Sequence, residues 1–339
     1  MPAKNMNGTK RSEPWSIILA GGEGQRTRSM IEQWLGYHKP KQFCTFVGRR
    51  SMLQHTWDRA DRLTAPQQKI TVVTQPFRQE VWSQFEKRRT GQVLVQPRNC
   101  DTAAGIFLPL TYIRAQAPEA TVVLYPSDHF VFPEEPFIDT VRHAIGAIEF
   151  LPDRVILVGM TPAYLELEYG WIVGGRRIGL SHGSPVYAVH AFLEKPDRTH
   201  AQAAMEAGAL WNTFVMAAKV ETIWKAGWRC FPDLMALFER LGRHIGSLQE
   251  GRVLESIYHT MPRKNFSSDL LQLITDHIGV VELRDVTWSD WGQPERIVET
   301  LRSLGKVPAF SLHDLGCSVT MSESVDTTRI EHEKTGEPT

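Results

Sequence analysis

The sequence predicts an α/β fold: a mainly parallel sheet covered by helices on both faces. Three observations predict it. Short apolar runs alternate with longer segments of helical periodicity over roughly the first 160 residues. The run Trp15–Ala20 opens directly into the glycine-rich turn Gly21-Gly22-Glu23-Gly24, as a buried parallel strand does. The run Thr121–Tyr125 ends in the polar Pro126-Ser127-Asp128-His129, marking the carboxyl edge of a sheet.

Each element follows in order. Ser51–Leu63 carries Met52, Leu53, Trp57, Ala60 and Leu63 along one helical stripe. Ile70–Thr74 is a strand, Phe77–Arg89 a helix and Gln92–Val95 a strand. Thr102–Ala115 is a helix with Asp101 as its N-cap, because a short acceptor side chain suits an unpaired helical N–H. Pro136–Phe150 is a helix and Arg154–Met160 a strand. The rhythm then changes. Gly170–Gly175, Val186–Glu194 and Phe214–Ala218 are strands with longer connections, expected as additions to one end of the sheet. Helices are expected at Arg198–Ala207, Val220–Ala226, Pro232–Leu241 and Arg252–Tyr258. Strand Ile278–Arg284 and helix Pro294–Leu304 close the fold. The organisation is a flexible N-terminus (1–14), one elaborated domain (15–305) and a short C-terminal extension (306–339). From about Ser318 the extension lacks large apolar residues and is expected to be disordered.

Composition narrows the partners. Lys+Arg and Asp+Glu both number 38, so the net charge is zero and a broad electrostatic grip on nucleic acid or an anionic membrane is not expected. Phosphate must therefore be held by a few placed groups. The four cysteines lie far apart without zinc-like spacing, and read as reduced thiols. No apolar run approaches the roughly 18 residues of a membrane span, and Met1–Glu13 lacks a signal-peptide core. The expectation is a cytoplasmic protein acting on small molecules, and a homo-oligomer is compatible with it. The histidines form no HExxH cluster and no GxSxG elbow occurs, so zinc hydrolysis and covalent hydrolysis lack support.

The chemistry concentrates in a few places. In Leu19–Arg26, glycines after a strand let backbone N–H groups point at an anion, and Arg26 adds a fork suited to phosphate oxygens. A glycine-rich turn alone is also a common structural device. In His38-Lys39-Pro40-Lys41-Gln42-Phe43, Lys41 could set a point charge against a triphosphate, or be a solvated basic turn. Asp128 and Asp290 each follow a strand. Two carboxylates converging from distant segments suit Mg²⁺, a hard cation completed by phosphate and water oxygens. Taken singly, each aspartate caps a turn just as well. Glu194-Lys195-Pro196 and Trp211-Asn212-Thr213 offer a carboxylate, an ammonium and an amide to a polyol phosphate.

The order of the pieces is more specific than any one of them. GGxGxR after a strand, then PKQF, QPRNxxTAxGI, PSDH, EYGWI, FxEKP, WN and WSDWG run from about Trp15 to Leu304. This series resembles the sugar nucleotidyltransferase family, and within it the mannose-1-phosphate guanylyltransferases. The resemblance implies a Rossmann-like fold of the nucleotide-diphospho-sugar transferase type, with extra strands inserted for the sugar site. It implies Mg²⁺-dependent condensation of an NTP with a hexose 1-phosphate, releasing pyrophosphate. Gly21, Gly22 and Gly24 would cradle the nucleotide, with Arg26 and Lys41 on its phosphates. Gln96, Arg98 and Thr102 fall on the base-contacting segment. Tyr169 and Gly170 fall on the sugar loop, Glu194 on sugar hydroxyls, Lys195 on the sugar phosphate and Asn212 on the family's amide. Asp128 and Asp290 fall on the metal carboxylates, where conversion of either to Asn is expected to remove most activity while thermal stability barely changes.

The chain departs from that pattern in four places: Thr27–Lys39, Gln96, Asp101-Thr102 and Thr213-Phe214. GTP with mannose 1-phosphate is the first reading of the substrates. Glucose 1-phosphate with dTTP or UTP, and a non-catalytic nucleotide-sugar-binding regulator, stand as alternatives.

Overall fold

The first strand, β1 (Trp15–Leu19), is apolar because neighbours flank it on both edges and layers cover both faces. Its Ile17 and Ile18 are fully buried. A computed structural model of the chain describes residues 13–85 and 91–311. The expectations for most of the N-terminus, for the disordered tail and for the end of the Phe77–Arg89 helix lie outside those residues.

The remaining strands are β2 (Lys69–Thr74), β3 (Gln92–Gln96), β4 (Thr121–Pro126), β5 (Phe130–Phe132) and β6 (Val155–Met160). They are followed by β7 (Gly170–Ser181), β8 (Ser184–Glu194), β9 (Leu210–Lys219), β10 (Ile278–Leu283) and β11 (Thr287–Ser289). Nine of them form one sheet in the order β3-β2-β1-β4-β9-β6-β10-β8-β7, and β5 pairs with β11 in a separate ladder. The pairings make β1 to β4, β6, β7 and β10 run one way, with β8 and β9 reversed. The mainly parallel α/β sheet expected from the sequence is therefore present.

One expectation is corrected. β7 and β8 do lie at one end of the sheet, but β9 sits at its centre, antiparallel to both β4 and β6. The reason is burial on both faces: Val215, Met216, Ala217 and Ala218 are all buried, which an added edge strand would not require.

The helices are α1 (Arg28–Leu35), α2 (Met52–Asp61), α3 (Arg78–Phe85), α4 (Asp101–Gln116), α5 (Glu134–Ile148) and α6 (Arg198–Glu206). Then come α7 (Val220–Cys230), α8 (Pro232–Gly242), α9 (Glu250–Thr260), α10 (Phe266–Asp269) and α11 (Pro294–Ser303). On one face of the sheet Phe107 of α4 packs against Trp224 and Phe238. On the other, Trp57 of α2 and Phe137 of α5 share a core with Tyr125. A third cluster, with Met30, Phe46, Trp291, Ile297 and Leu301, ties α1 and α11 to the loops.

Asp101 is not the N-cap of α4: the helix begins at Asp101 itself, and Cys100 takes the cap position without a capping side-chain hydrogen bond. Asp101 has φ +70°, and its Oδ1 accepts from the next amide, Thr102 N, at 2.6 Å and from Asn265 Nδ2 at 3.3 Å. The side chain stabilises a left-handed turn at the helix entrance, a conformation that Asp tolerates better than most residues.

Two features position the site. β1 and β4 end level, with Leu19 opposite Pro126, and β2 and β3 end level two residues further on, with Thr74 opposite Gln96. The β5–β11 ladder pairs Phe130 with Ser289, so Asp128, two residues before β5, is brought toward Asp290, one residue after β11.

Candidate active site

The carboxyl edge of the sheet opens into a cavity of about 520 Å³. Gly21, Gly22, Arg26, Gln96 and Thr102 line it, together with Asp128, Tyr169, Gly170, Glu194, Lys195, Asn212 and Asp290. The glycine loop and the sugar-phosphate candidates, far apart in sequence, share this one space. Gly24, Lys41 and Arg98 are not among its lining residues.

The glycine loop is pinned from behind. Ala20 N donates to Val72 O at 2.8 Å, and Gln42 Nε2 donates to Ala20 O at 3.0 Å and Gly22 O at 2.7 Å. Gly24 has φ +64°, and a Cβ there would lie 3.1 Å from Lys41 N, so glycine is needed at that turn. The PKQF segment thus serves the loop through Gln42.

Lys41 is a tether. Its side chain is 5% exposed. Its Nζ donates to Asp128 Oδ2 at 3.1 Å, to Trp291 O at 3.2 Å and to Asp290 O. An ammonium has three protons, and these contacts engage all of them. Burial opposes the charge on Asp128, but Lys41 and then His129 outweigh it and hold the carboxyl below its usual range. Asp290 behaves alike: burial opposes its charge, while Lys41, His129 and Arg26 hold it well below that range. Both groups stay ionised at neutral pH. Burial is the main cause that pushes the His129 imidazole below its ordinary value.

Asp290 is the hub of a network. Its Oδ2 accepts from Arg26 Nη2 at 3.0 Å. Its Oδ1 accepts from Tyr169 OH at 2.8 Å, Arg296 Nη1 at 2.9 Å and Gly292 N at 2.8 Å. Arg296 also pairs with Glu166 and lies 5.0 Å from the centroid of the Tyr169 ring. Sequence reasoning missed Arg296 and Glu166. A signal existed: Arg296 sits in the first turn of α11, where the helix dipole disfavours a cation unless carboxylates answer it.

At the Glu194 end of the cavity, a Cβ on Gly170 would approach Glu194 Oε2 at 3.0 Å and Asn212 Cβ at 3.3 Å, so a side chain there would intrude between these walls. Asn212 Oδ1 accepts from Phe214 N at 3.1 Å. Glu168 bridges the two sides, with Oε2 at 3.5 Å from Arg26 Nη1 and 4.0 Å from Lys195 Nζ. Burial pushes the Glu194 carboxyl upward.

At the Gln96 end of the cavity a second stretch of chain docks on the Gln96–Thr102 segment. Arg98 donates to the carbonyls of Tyr258 (2.7 Å), Met261 (2.9 Å) and His259 (3.4 Å), satisfying the carboxyl end of α9 rather than lining the cavity. Thr102 Oγ1 accepts from Phe266 N at 2.7 Å. Tyr258 OH donates to Gln96 Oε1 at 3.0 Å, which leaves the Gln96 amide protons as its free donors. Arg263, Asn265 and Ser267 join the lining from this segment, and no motif in the sequence pointed to them.

The two carboxylates fit a magnesium ion. Among the described residues the ionisable partner of Asp128 Oδ1 is His129 Nε2, at 3.7 Å, and the Arg26 partner of Asp290 is half-exposed. Among the described residues no cluster of three or more His, Cys, Asp or Glu could enclose a metal alone. Such a site would need phosphate and water oxygens to complete it, as Mg²⁺ sites commonly do. No helix among the described residues is long and apolar enough to cross a membrane.

Comparison with known proteins agrees with this geometry. A XanB protein of Xanthomonas campestris pv. campestris, described as a xanthan biosynthesis protein, is 30% identical over 205 residues, 60% of this chain and 41% of that protein. A mannose-1-phosphate guanylyltransferase of Escherichia coli is 24% identical over 282 residues, 81% of this chain and 59% of that protein. The chain thus spans 41% to 59% of the length of these curated relatives. The fold is shared with a structure described as mannose-1-phosphate geranyltransferase from Thermus thermophilus. Its TM-score is 0.71 at 24% identity, covering 85% of this chain and 79% of that one. The family model described as nucleotidyl transferase matches residues 15–306, which takes in the whole sheet and every residue of the cavity, and the chain belongs to that family.

Proposed function

We propose that the chain condenses an NTP, GTP by preference, with a hexose 1-phosphate, mannose 1-phosphate by preference, yielding a nucleotide-sugar and pyrophosphate. The observation that carries this reading is the meeting, in one cavity, of the glycine loop, two ionised aspartates and the Glu194–Lys195–Asn212 wall. Membership of the family supports the reaction type. The names of relatives such as the E. coli guanylyltransferase support the choice of substrates.

The reaction asks the protein mainly for positioning and charge neutralisation. A phosphate oxygen of the hexose 1-phosphate attacks the α-phosphorus, and the α–β bridging oxygen leaves with pyrophosphate. The attacking phosphate is already ionised near neutral pH, so no general base is required. The loop at Gly21 and Gly22 holds the nucleotide phosphates, and Arg26 answers the charge gathering on pyrophosphate. Lys195 holds the sugar phosphate and Glu194 the sugar hydroxyls. Lys41 acts through Asp128 and Asp290, keeping both ionised and their segments together. Mg²⁺ held by those two aspartates would supply further charge neutralisation on the phosphate oxygens.

The free amide protons of Gln96 suit a carbonyl oxygen on the base. Guanine, thymine and uracil carry one at the corresponding edge, while adenine and cytosine present an amino group. A buried donor left unpaired is the stronger basis for rejection. A pyrophosphate-release assay over GTP, dTTP, UTP, ATP and CTP with a panel of hexose 1-phosphates tests the reading. ATP and CTP are expected to be poorest, and GTP to exceed dTTP and UTP by at least about tenfold in kcat/KM, roughly 1.4 kcal/mol. A faster pair of dTTP or UTP with glucose 1-phosphate would move the protein to the thymidylyl or uridylyl group. Release with no pair would favour a binding regulator.

Lys195→Ala is expected to raise the KM for hexose 1-phosphate more than the KM for NTP, because Lys195 lies on the sugar side of the cavity. Equal rises in both constants would remove it from the sugar phosphate.

A further inference from the structure

Behind the segment that carries Asp128 lies a second cavity, of about 340 Å³. His129 lines both cavities. One wall is aromatic: Phe46, Phe130, Phe132 and Trp291, with Phe130 and Trp291 stacked at 4.5 Å and 15° between planes. The other is basic: Arg50, His55, Arg59 and Lys306 line it with one carboxylate, Glu134. Glu134 already serves two partners, Arg59 at 3.4 Å and His55 at 3.9 Å. Asp58 neutralises Arg50 at 2.7 Å. Lys306 lies over the Phe132 ring, 3.8 Å from its centroid, with no carboxylate paired to it among the described residues.

Three buried polar atoms around this cavity have no hydrogen-bond partner among the described residues: Arg59 Nε, His129 Nδ1 and Trp291 Nε1. The Arg59 side chain is only 4% exposed. Buried polar groups are normally paired, and these three exceptions belong to side chains that line one space, so the polar groups behind its wall are not fully served by the fold. Cations in excess of carboxylates favour an oxyanion, and a guanidinium fork favours phosphate. The aromatic wall favours a flat ring.

We propose that this cavity is a second binding site, for an organic phosphate carrying a flat ring. The ring lies along the Phe130–Trp291 stack and the phosphate is held by Lys306, with Arg59, whose Nη atoms already serve Glu134, Thr56 Oγ1 and His129 O, adding its charge from behind. Through His129 the occupant touches a wall of the main cavity. The site stands whether or not the transferase reading holds, because its test is binding alone.

Titration calorimetry of the full chain with phenyl phosphate tests it. One-to-one saturable binding at millimolar concentration or tighter is expected, with inorganic phosphate clearly weaker. Lys306→Glu is expected to weaken phenyl phosphate at least about tenfold, and Phe132→Ala, at an exposed rim position, to weaken it too. Arg26→Ala, which alters only the main cavity, should leave it unchanged. Four results would overturn the proposal: no saturable binding, equal affinity for inorganic phosphate, unchanged affinity in both Lys306→Glu and Phe132→Ala, or loss in Arg26→Ala alone.

Discussion

Asp128→Asn is expected to lower kcat by at least on the order of 10², and EDTA to stop turnover until Mg²⁺ is restored. The amide keeps the shape of the carboxylate and removes its charge, so Asp128 can no longer help bind a divalent ion. Lys41 loses one of its three partners and keeps two carbonyls, of Asp290 and Trp291. Asp128 is 38% exposed, and water screens much of what its pairing contributes to stability. Thermal unfolding is therefore expected to shift little. Steady-state rates and a melting curve on the same preparation check both halves. Full activity in the variant, or turnover that survives EDTA, would remove Asp128 from the metal site.

Arg296→Met is expected to be the larger stability change, about 3–5 kcal/mol. Arg296 and Glu166 are both largely buried, and Asp290 beside them is 11% exposed. Removing the guanidinium leaves two buried carboxylates facing each other's charge with less compensation. Arg26 also pairs with Asp290, yet its guanidinium is 46% exposed. Losing that surface pair should cost no more than about 1 kcal/mol. The two variants thus separate a buried link from an exposed one. Chemical denaturation measures the difference, and equal midpoints for wild type and Arg296→Met would contradict it.

The same network carries a pH signature. The Asp290 carboxyl is held below its ordinary value, so its contribution to stability is complete above about pH 4, the unfolded range for Asp. It is lost as pH falls through the lower folded value. Arg296→Met raises that folded value toward normal and narrows its gap from the unfolded value, so the variant's stability is expected to fall less steeply than that of wild type as pH drops below about 4. Asp290→Asn is revised for the same reason. Stability was expected to change barely, but an Asn there leaves Arg296 and Arg26 without their shared carboxylate.

The legible parts of this protein are those where local chemistry dictates the outcome. β1 and its glycine turn could be read from a six-residue run, apolar but for Ser16, and three glycines, because a parallel strand buried on both faces has few alternatives. Asp128 could be placed because a polar residue directly after such a strand must lie at the carboxyl edge. The neighbours of β9 were not legible, since strand order depends on which edge a long connection reaches; within Leu210–Lys219 only the continuous apolar run Val215–Ala218 points to burial on both faces. The β5–β11 ladder was also missed: its strands have three residues each, too short for a period to show. It is nevertheless what brings the two aspartates together. Lys41 and Arg98 were read as phosphate and base contacts from the resemblance. The folded chain uses Lys41 to tie Asp128 to the Asp290–Trp291 backbone and Arg98 to satisfy the end of α9. Both roles depend on partners more than 80 residues away, such as Tyr258, which no local pattern reveals.

The central claim is that a nucleotidyl group moves from an NTP to a hexose 1-phosphate in the cavity that holds Asp128 and Asp290. Isotope tracing with GTP labelled at either the α- or the γ-phosphorus, in the presence of mannose 1-phosphate and Mg²⁺, tests it most directly. The account predicts α-label in a nucleotide-sugar, γ-label in pyrophosphate in equal amount, and neither product from Asp128→Asn. Label from the γ-position appearing on the sugar, or undiminished nucleotide-sugar from Asp128→Asn, would contradict it.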